Sequence, residues 1–404
     1  MKKKLVFLLS VTYILMPQIA HSKVQDPVRL DLFGFFVTPE LMINESYITN
    51  LFYQPGSKVS SRKTVISPSF EVNTVLGISD IRLLFKNEAG FYSYSPEDDY
   101  VDSELHFESS AKLNHRNRLG FGAEYAYLHQ ERGKGLSEGS SFNLYDGPIK
   151  LEKKAYYADY SFGSDFSRGL IVLSMGHAGV RFSNFRDLTK HDDYSINSAS
   201  ALFSLRLGAK TRFLVNVRQA EINYNLDPPQ LVGLPDSLDR QSTQVLFGLD
   251  WKIANKTNGS LKLGRGNIRF DDQDRQRFSG PSWEVDFSWQ PNSHSKFKIT
   301  SAQEDREPFG DANFIEASEA SIGWVNYWSK RFYSSIELIH SNLQYVGSTT
   351  ERVDRTTSYE ISFNYIARRW IDFGFMVKFE NNNSKINIFD YERGEIAFDV
   401  EVSL

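Results

Sequence analysis

The tightest group of titratable side chains in the sequence is Glu104, His106 and Glu108, which occupy every second position of one segment. Carboxylates and imidazoles bind Zn²⁺ and transfer protons, so the residue types invite a metal or acid–base interpretation. On a β-strand, however, the three side chains share a face, and successive ones lie about 7 Å apart. They therefore point in parallel directions and do not converge on one ion. A metal site would need ligands from neighbouring strands; the alternative is ordinary polarity on the wet face of a strand.

A second group, His129 with Glu131 and Arg132, follows the end of a predicted strand. We interpret it as a loop hydrogen-bond cluster or a contact for a polymer. Loop carboxylates could bind Ca²⁺ or could simply be solvated, and this choice stays open for Asp271, Asp272 and Asp274. His177 and His191 have no fixed geometry between them and are interpreted as ordinary polar residues.

Enzymatic motifs are weak throughout the chain. The G-x-S-x-G string at residues 135–139 falls in a predicted polar connection and lacks the strand-to-helix turn of a nucleophile elbow. Gly264-Arg265-Gly266 likewise lacks the strand–helix setting of a dinucleotide site. The sequence contains no Cys, which excludes disulfides, thiolate metal sites and a thiol nucleophile. An outer-membrane hydrolase with Ser and His at a rim stays an alternative, but the sequence predicts no enzyme and no cofactor.

The elements that would position these residues are β-strands. In residues 118–127, Leu119, Phe121 and Tyr125 share one face, whereas Arg118 and Glu124 share the other. Such alternation gives each strand one apolar and one wet face. It recurs in about 18 segments, within a range of 16–20, predicted near 33–46, 67–76, 78–94, 102–113, 117–132, 149–162, 165–178, 195–209, 210–224, 240–253, 258–271, 280–290, 294–305, 312–328, 331–346, 354–369, 370–384 and 388–403.

Composition favours a membrane β-barrel over a soluble core. Aromatic residues make up 14% of a chain that is polar on average, which suits a polar lumen, an apolar outer band and aromatic girdles at both interfaces. Short connections, such as His115-Arg116, alternate with long polar ones, such as residues 133–148 and 227–239. A secreted β-sandwich or β-propeller is the alternative, but no propeller repeat of about 40–50 residues is present.

The first residues predict a secretory signal peptide over 1–22. Lys2, Lys3 and Lys4 precede a short apolar run, and small residues stand at −3 and −1 of a cut after Ser22. The alternative, an anchored inner-membrane helix, would need roughly 20 apolar residues. Residues 23–404 are predicted to form a single outer-membrane barrel, and its last strand is apolar at every second position up to Leu404. Without the three lysines the net charge falls from −4 to −7, which gives no support for nucleic-acid binding.

Charged residues of both signs fall on the predicted wet faces. A polar wall of mixed charge can guide a hydroxyl-rich polymer without trapping it, although any barrel lumen must also be polar. The sequence predicts these lumen-lining residues: Arg82, Lys86, Glu88, Glu104, Glu108, Arg118, Glu124, Arg212, Arg218, Asp250, Lys252, Arg368, Asp372 and Lys378.

Three segments resemble the putative β-barrel porin 2 family, which includes the EpsL-type proteins of exopolysaccharide operons. Residues 33–41 (FGFFVTPEL) look like its opening strand, and residues 67–72 (SPSFEV) resemble its second. Residues 118–125 (RLGFGAEY), followed by 129–133 (HQERG), are similar to its strand that leads into a long loop. Beyond residue 135 the likeness is one of strand pattern only.

The resemblance implies a barrel of roughly eighteen strands that passes exopolysaccharide or capsule polymer outwards together with a periplasmic polysaccharide-export protein. It implies no catalytic residue. The expected location is the cell outer membrane, and the expected partners are outer-membrane lipid and, during biogenesis, the outer-membrane assembly machinery. The alternative function is a general diffusion porin or small-solute uptake channel.

Overall fold

A computed structural model describes residues 29–164, 166–227, 237–253, 256–275, 277–308 and 310–403. The predicted signal peptide, the terminal Leu404 and residues 228–236 of one predicted loop lie outside these residues. None of the helices in the described part of the chain has the length and apolarity that a membrane-spanning helix needs.

Nineteen strands form one antiparallel sheet within these ranges. In chain order they are β1 (Leu30–Leu32), β2 (Phe35–Ile48), β3 (Ser61–Leu76), β4 (Ser79–Tyr92), β5 (Tyr100–Lys112), β6 (Asn117–Gln130), β7 (Ile149–Phe162), β8 (Gly169–Phe182), β9 (Tyr194–Arg206), β10 (Thr211–Tyr224), β11 (Arg240–Ile253), β12 (Thr257–Phe270), β13 (Phe278–Trp289), β14 (Ser295–Arg306), β15 (Phe314–Tyr327), β16 (Phe332–Val346), β17 (Val353–Arg368), β18 (Ile371–Ser384) and β19 (Tyr391–Ser403).

The sheet closes on itself through its first long strand and its last strand. β19 pairs with β2 from Glu395 opposite Ile48 to Ser403 opposite Glu40, and every other neighbour from β2 onwards is consecutive in sequence. The predicted barrel of about eighteen strands is therefore confirmed. β1 is an additional strand, which pairs only with the start of β2, and the alternation pattern did not predict it.

The largest boundary error lies in β3, which begins at Ser61 and not near residue 67. Residues 61–64 read Ser-Arg-Lys-Thr, so both faces of the strand are polar there and no alternation is visible. This part of the strand nevertheless pairs with Ile48 and its neighbours in β2. Hydrogen bonds to an adjacent strand, and not side-chain hydrophobicity, extend it.

Large apolar side chains cover the outer face. Leu119, Phe121 and Tyr125 of β6 are each more than 40% exposed, and Phe247 and Leu249 of β11 are exposed in the same way. Such a band is stable only against lipid or another apolar surface. Exposed tryptophans lie where strands end, at Trp289, Trp328 and Trp370, which is where an interfacial aromatic belt is expected.

The two ends of the barrel differ in the length of their connections. Eight connections of two to six residues between consecutive strands from β2 to β19, and the turn between β1 and β2, lie at the end that also holds Ser403. Nine connections of six to eighteen residues lie at the other end. We call these the short-turn end and the long-connection end. The long connections contain the short helix Arg186–Thr189 and the 3₁₀ turns Pro96–Asp98, Gly135–Ser137, Gly139–Leu144, Lys190–Asp192 and Asn387–Phe389.

One seam in the wall is only half paired. β13 and β14 pair over Glu284–Trp289 and Phe297–Ala302 alone, so the strands separate toward the long-connection end. Pro281 lies in the separated half of β13, and proline cannot donate a ladder hydrogen bond. Polar side chains fill this region, among them Ser242 of β11, whose hydroxyl donates to Asp305 of β14 at 3.1 Å.

Candidate functional site: a polar lumen narrowed at one mouth

Contacts between strands that are not neighbours identify the inner face. Arg218 of β10 forms an ion pair with Glu284 of β13, across two intervening strands. Lys262 of β12 holds the same carboxylate at 2.5 Å. Side chains converge in this way only on the concave side of a barrel, so the polar face lines the lumen.

The register places thirteen of the predicted lumen residues in alternating rows that share this face. They are Arg82, Lys86, Glu88, Glu104, Glu108, Arg118, Glu124, Arg212, Arg218, Asp250, Lys252, Asp372 and Lys378. Arg368 is placed differently. A register shift after Ile366 brings Arg368 opposite Ile371, at an exposed strand end outside the rows.

Several of these residues meet in mixed-charge groups across strands. Arg82 lies between Glu71, at 2.6 Å, and Glu108, at 3.5 Å. His106 contacts Glu104 at 3.1 Å and lies 3.9 Å from Glu124 of the next strand. The described residues contain no group of three ligands placed to hold a metal ion. The arrangement is a self-paired polar wall that can exchange hydrogen bonds with a passing solute.

His129 and His177, two of the histidines singled out from the sequence, each have a partner on a neighbouring strand. His129 packs face to face on Tyr100, with ring centroids 3.5 Å apart, and its Nδ1 lies 3.0 Å from Asp102. His177 Nδ1 lies 2.8 Å from Asn197 Oδ1. In the connection between β12 and β13, which contains Asp271, Asp272 and Asp274, the backbone N–H of Asp274 donates to the carboxylate of Asp272 at 2.9 Å.

The feature that sequence patterns missed is residues 131–148, between β6 and β7, which we call the mouth segment. Its Lys134 reaches Glu380 of β18 at 3.4 Å and the hydroxyl of Tyr391 at 2.5 Å. The ammonium also lies 4.2 Å from the ring centroid of Tyr53. From β6 to β18 is six strand positions around an eighteen-strand ring, so the segment crosses the mouth.

Glu138 makes the second contact with the far wall. Its carboxylate accepts a hydrogen bond of 2.5 Å from Arg352, the residue immediately before β17. The same guanidinium binds Asp354 and lies 3.4 Å from the ring centroid of Phe389. Arg352 is only 7% exposed. Burial raises the pKa of Glu138, and the hydrogen bond from Arg352 opposes that shift.

Glu131 and Arg132 fasten the base of the mouth segment. Glu131 accepts hydrogen bonds from Tyr53 and, at 3.3 Å, from Arg393 of β19. Arg132 binds Asp98 at 2.5 Å and lies 4.5 Å from the ring centroid of Phe52. The pair flagged in the sequence therefore forms a loop cluster of ion pairs and aromatic rings.

Backbone conformation also specifies this path. Gly133 has φ +93°, and a Cβ there would lie 2.1 Å from the carbonyl oxygen of Phe52. Gly135 has φ +57°, and a Cβ there would lie 2.0 Å from the side chain of Gln130. Only glycine combines the left-handed conformation with so close an approach. The sequence signal for the segment was a Gly-rich stretch between charged residues, without any indication of its distant partners.

A separate buried ionic group lies elsewhere on the same rim, between β11 and the connection that follows β14. Arg240 at the start of β11 forms a two-bond ion pair with Glu307, at 2.7 and 3.0 Å. Glu307 also accepts a hydrogen bond of 2.5 Å from the hydroxyl of Tyr224. Arg240 and Glu307 are 2% and 5% exposed. The long-connection end is thus held by two buried ionic clusters on different sides.

An eighteen-strand wall, an apolar outer band, a polar lumen and a mouth crossed by an inward-folded segment define a porin-like β-barrel of the outer-membrane type. Comparison with family models gives the relationship: residues 26–404 match the family described as putative beta-barrel porin 2. The chain belongs to this family. A comparison with curated proteins found no match.

Solved structures share the fold at low sequence identity. OpdK of Pseudomonas aeruginosa, crystallised with vanillate, superposes with a TM-score of 0.51 at 10% identity, over 91% of this chain and 99% of that one. OccK2 (OpdF) of the same organism, in complex with glucuronate, gives 0.50 at 8% identity, over 91% and 98%. The FrpB iron transporter of Neisseria meningitidis gives 0.49 at 10%, over 93% and 82%.

Proposed function

We propose that this protein is a conduit in the cell outer membrane through which exopolysaccharide or capsule polymer leaves the cell, together with a periplasmic polysaccharide-export protein. The observation that carries the proposal is the mouth segment, because it narrows an otherwise wide barrel. Its ion pairs to the far wall hold the narrowing in place. A conduit that opens only for a polymer must be narrowed at rest.

The chemistry of the lumen supports the same substrate class. Hydroxyl side chains line much of the inner face, for example Ser174, Ser335 and Ser362, and the last two lie 2.7 Å apart across β16 and β17. Carbohydrate hydroxyls can exchange hydrogen bonds with such groups. Charges of both signs, already paired within the wall, offer many weak contacts and no deep trap.

Deleting the gene, with a complemented strain beside it, tests the proposal. We expect extracellular polymer to fall while polymer accumulates in the periplasm, and complementation should restore export. Unchanged extracellular polymer would contradict the conduit.

The second candidate is a diffusion porin for small solutes. It is favoured by the fold shared with OpdK and OccK2, whose structures contain vanillate and glucuronate. The purified barrel in a planar bilayer separates the two candidates. A porin should conduct steadily without any change in the mouth segment, whereas the conduit should conduct little until contacts such as that of Arg352 with Glu138 are removed.

A further inference from the structure

The charges of the connections divide between the two ends of the barrel. The eight connections of the short-turn end contain seven Lys or Arg and one acidic residue, Asp165. The nine connections of the long-connection end contain nine Lys or Arg and nineteen Asp or Glu. The barrel therefore has a basic rim at one end and an acidic rim at the other.

The basic side chains of the short-turn end are exposed. They occur in six of the eight turns, so they encircle the opening and do not cluster on one side. These residues, which we call the basic rim, are Arg116, Arg168, Lys210, Lys256, Lys330, Arg331 and Arg369.

The positive charge continues from the rim into the lumen along one wall. Arg206 of β9 lies directly opposite Arg212 of β10, and Lys252 follows on β11. Like charges at such close positions concentrate positive potential. Lys296 and Lys298 of β14 extend the wall, which also carries two acidic residues, Asp250 and Asp286.

The opposite wall at the same depth is acidic. β19 stands nine strand positions from β10, halfway around the ring. The inward rows of β18, β19 and β2 place there Asp372, Asp399, Glu401 and Glu40. An anion that enters this end is drawn to the β9–β14 wall and repelled from the β18–β2 wall.

The two rims act independently, because charges are screened within about 10 Å at 0.1 M salt. The basic rim attracts anions to the short-turn end, and the acidic rim repels them from the other. Electrostatic capture of this kind raises encounter rates by about ten- to a thousandfold at low salt. A neutral polymer would gain nothing from either rim.

We propose that the transported polymer is a polyanion, a polysaccharide bearing carboxylate or phosphate groups, and that the basic rim and the adjoining basic wall capture it at the short-turn end. This rests on the proposed function and names the class of its substrate. The acidic long-connection end then has a matching role. It does not retain the polymer, and it disfavours entry of polyanions from that side.

Current blockade in planar bilayers of neutral lipid tests the proposal. The substitution Arg352→Gln opens the mouth of the barrel. Because the chain contains no Cys, Ser329→Cys introduces a single thiol that can carry biotin. Streptavidin added to one side of the bilayer then reports which end of the barrel faces that side. Polygalacturonate oligomers are added to either side, with dextran of matched length as the neutral probe. We expect blockades by polygalacturonate to be about tenfold more frequent from the short-turn side at 0.1 M salt. The preference should vanish at 1 M salt, while dextran shows none.

Neutralising the rim supplies the matched comparison. Lys256→Gln, Lys330→Gln, Arg331→Gln and Arg369→Gln together should remove most of the preference, because each side chain is exposed and its loss leaves the strands intact. At the other end, Lys58→Gln, Lys190→Gln and Lys385→Gln together make the acidic rim more negative, so they should not reduce the preference.

Equal blockade from both sides, or a preference that survives the rim substitutions, would overturn the polyanion inference. If the purified barrel retains anionic phospholipid, and the rim variants lose that lipid without any change in blockade, the basic rim binds lipid. That result would also overturn the polyanion inference. If dextran still blocks the channel, the conduit itself stands. If neither polymer blocks the opened channel from either side, the conduit fails as well.

Discussion

The two ends of this barrel use the same residue types in opposite ways. At the long-connection end several cations pack between carboxylates and aromatic rings, as the buried Arg352 does between Glu138 and Phe389. At the short-turn end they project into solvent from tight turns, as Lys256 and Lys330 do. A buried cation fixes one geometry because removing its partner leaves an uncompensated charge. An exposed cation fixes nothing and remains available to a ligand.

The largest effect should come from Arg352→Met. The change leaves Glu138 and Asp354 buried without their cation, which costs about 3–5 kcal/mol of local stability. We expect the mouth segment to detach from β17 and single-channel conductance to rise. Arg355→Met, three residues along β17 at an exposed position, is the control and should leave conductance unchanged. Equal conductance of the two variants would show that Arg352 does not hold the mouth.

Gly133→Ala should displace the same segment through the backbone. The new Cβ would collide with the Phe52 carbonyl oxygen in a conformation that alanine rarely adopts. We expect faster cleavage by trypsin after Arg132 or Lys134 in the folded barrel. Gly310→Ala carries the same positive-φ penalty but has open space around its Cβ. It should therefore leave cleavage of the mouth segment unchanged, and equal acceleration in both variants would contradict the prediction.

Lys134→Met should weaken one contact with the far wall by about 1–2 kcal/mol, from the lost ion pair and ring contacts. Glu380 keeps Lys378 at 3.7 Å, which limits the loss. Lys58→Met removes an exposed ion pair with Glu392, a type of contact worth about 0–1 kcal/mol. Urea unfolding in micelles should show a larger loss of unfolding free energy for Lys134→Met than for Lys58→Met. A larger effect of Lys58→Met would contradict the distinction between buried and exposed cations.

The smallest effect concerns pH in the connection of residues 183–193. Burial, reinforced by Asp193, raises the pKa of Asp192 to about 7. The folded loop therefore favours the protonated acid, so its stabilisation is complete below the ordinary pKa of about 4 and is lost as pH rises through about 7. Amide hydrogen exchange in this loop, corrected for intrinsic rates, should quicken from pH 6 to pH 8. Asp192→Asn should abolish that change; an identical pH response in the variant would refute the assignment.

Local alternation predicted the eighteen strands because every barrel strand must present one face to lipid and one to water. It failed where both faces are polar, at Ser61 to Thr64, and it could not detect the register shift that moves Arg368. The contacts across the mouth were beyond its reach. Lys134 and Glu380 are 246 positions apart, and only the closed ring makes them neighbours. The charges of the two rims, in contrast, are present in the sequence, but their division becomes visible only once each connection is assigned to an end.

The pairing of β19 with β2 sets the order in which the molecule can be made. Thr49 and Gly394 are joined by hydrogen bonds across 345 residues, so the ring cannot close before the last strand has been delivered. Until then β2 and β19 are open edges with unpaired backbone groups, which lipid cannot satisfy. Contacts of such long sequence separation form slowly. Biogenesis therefore ends on a single late step, and the unclosed sheet must be shielded from lipid until its two ends meet.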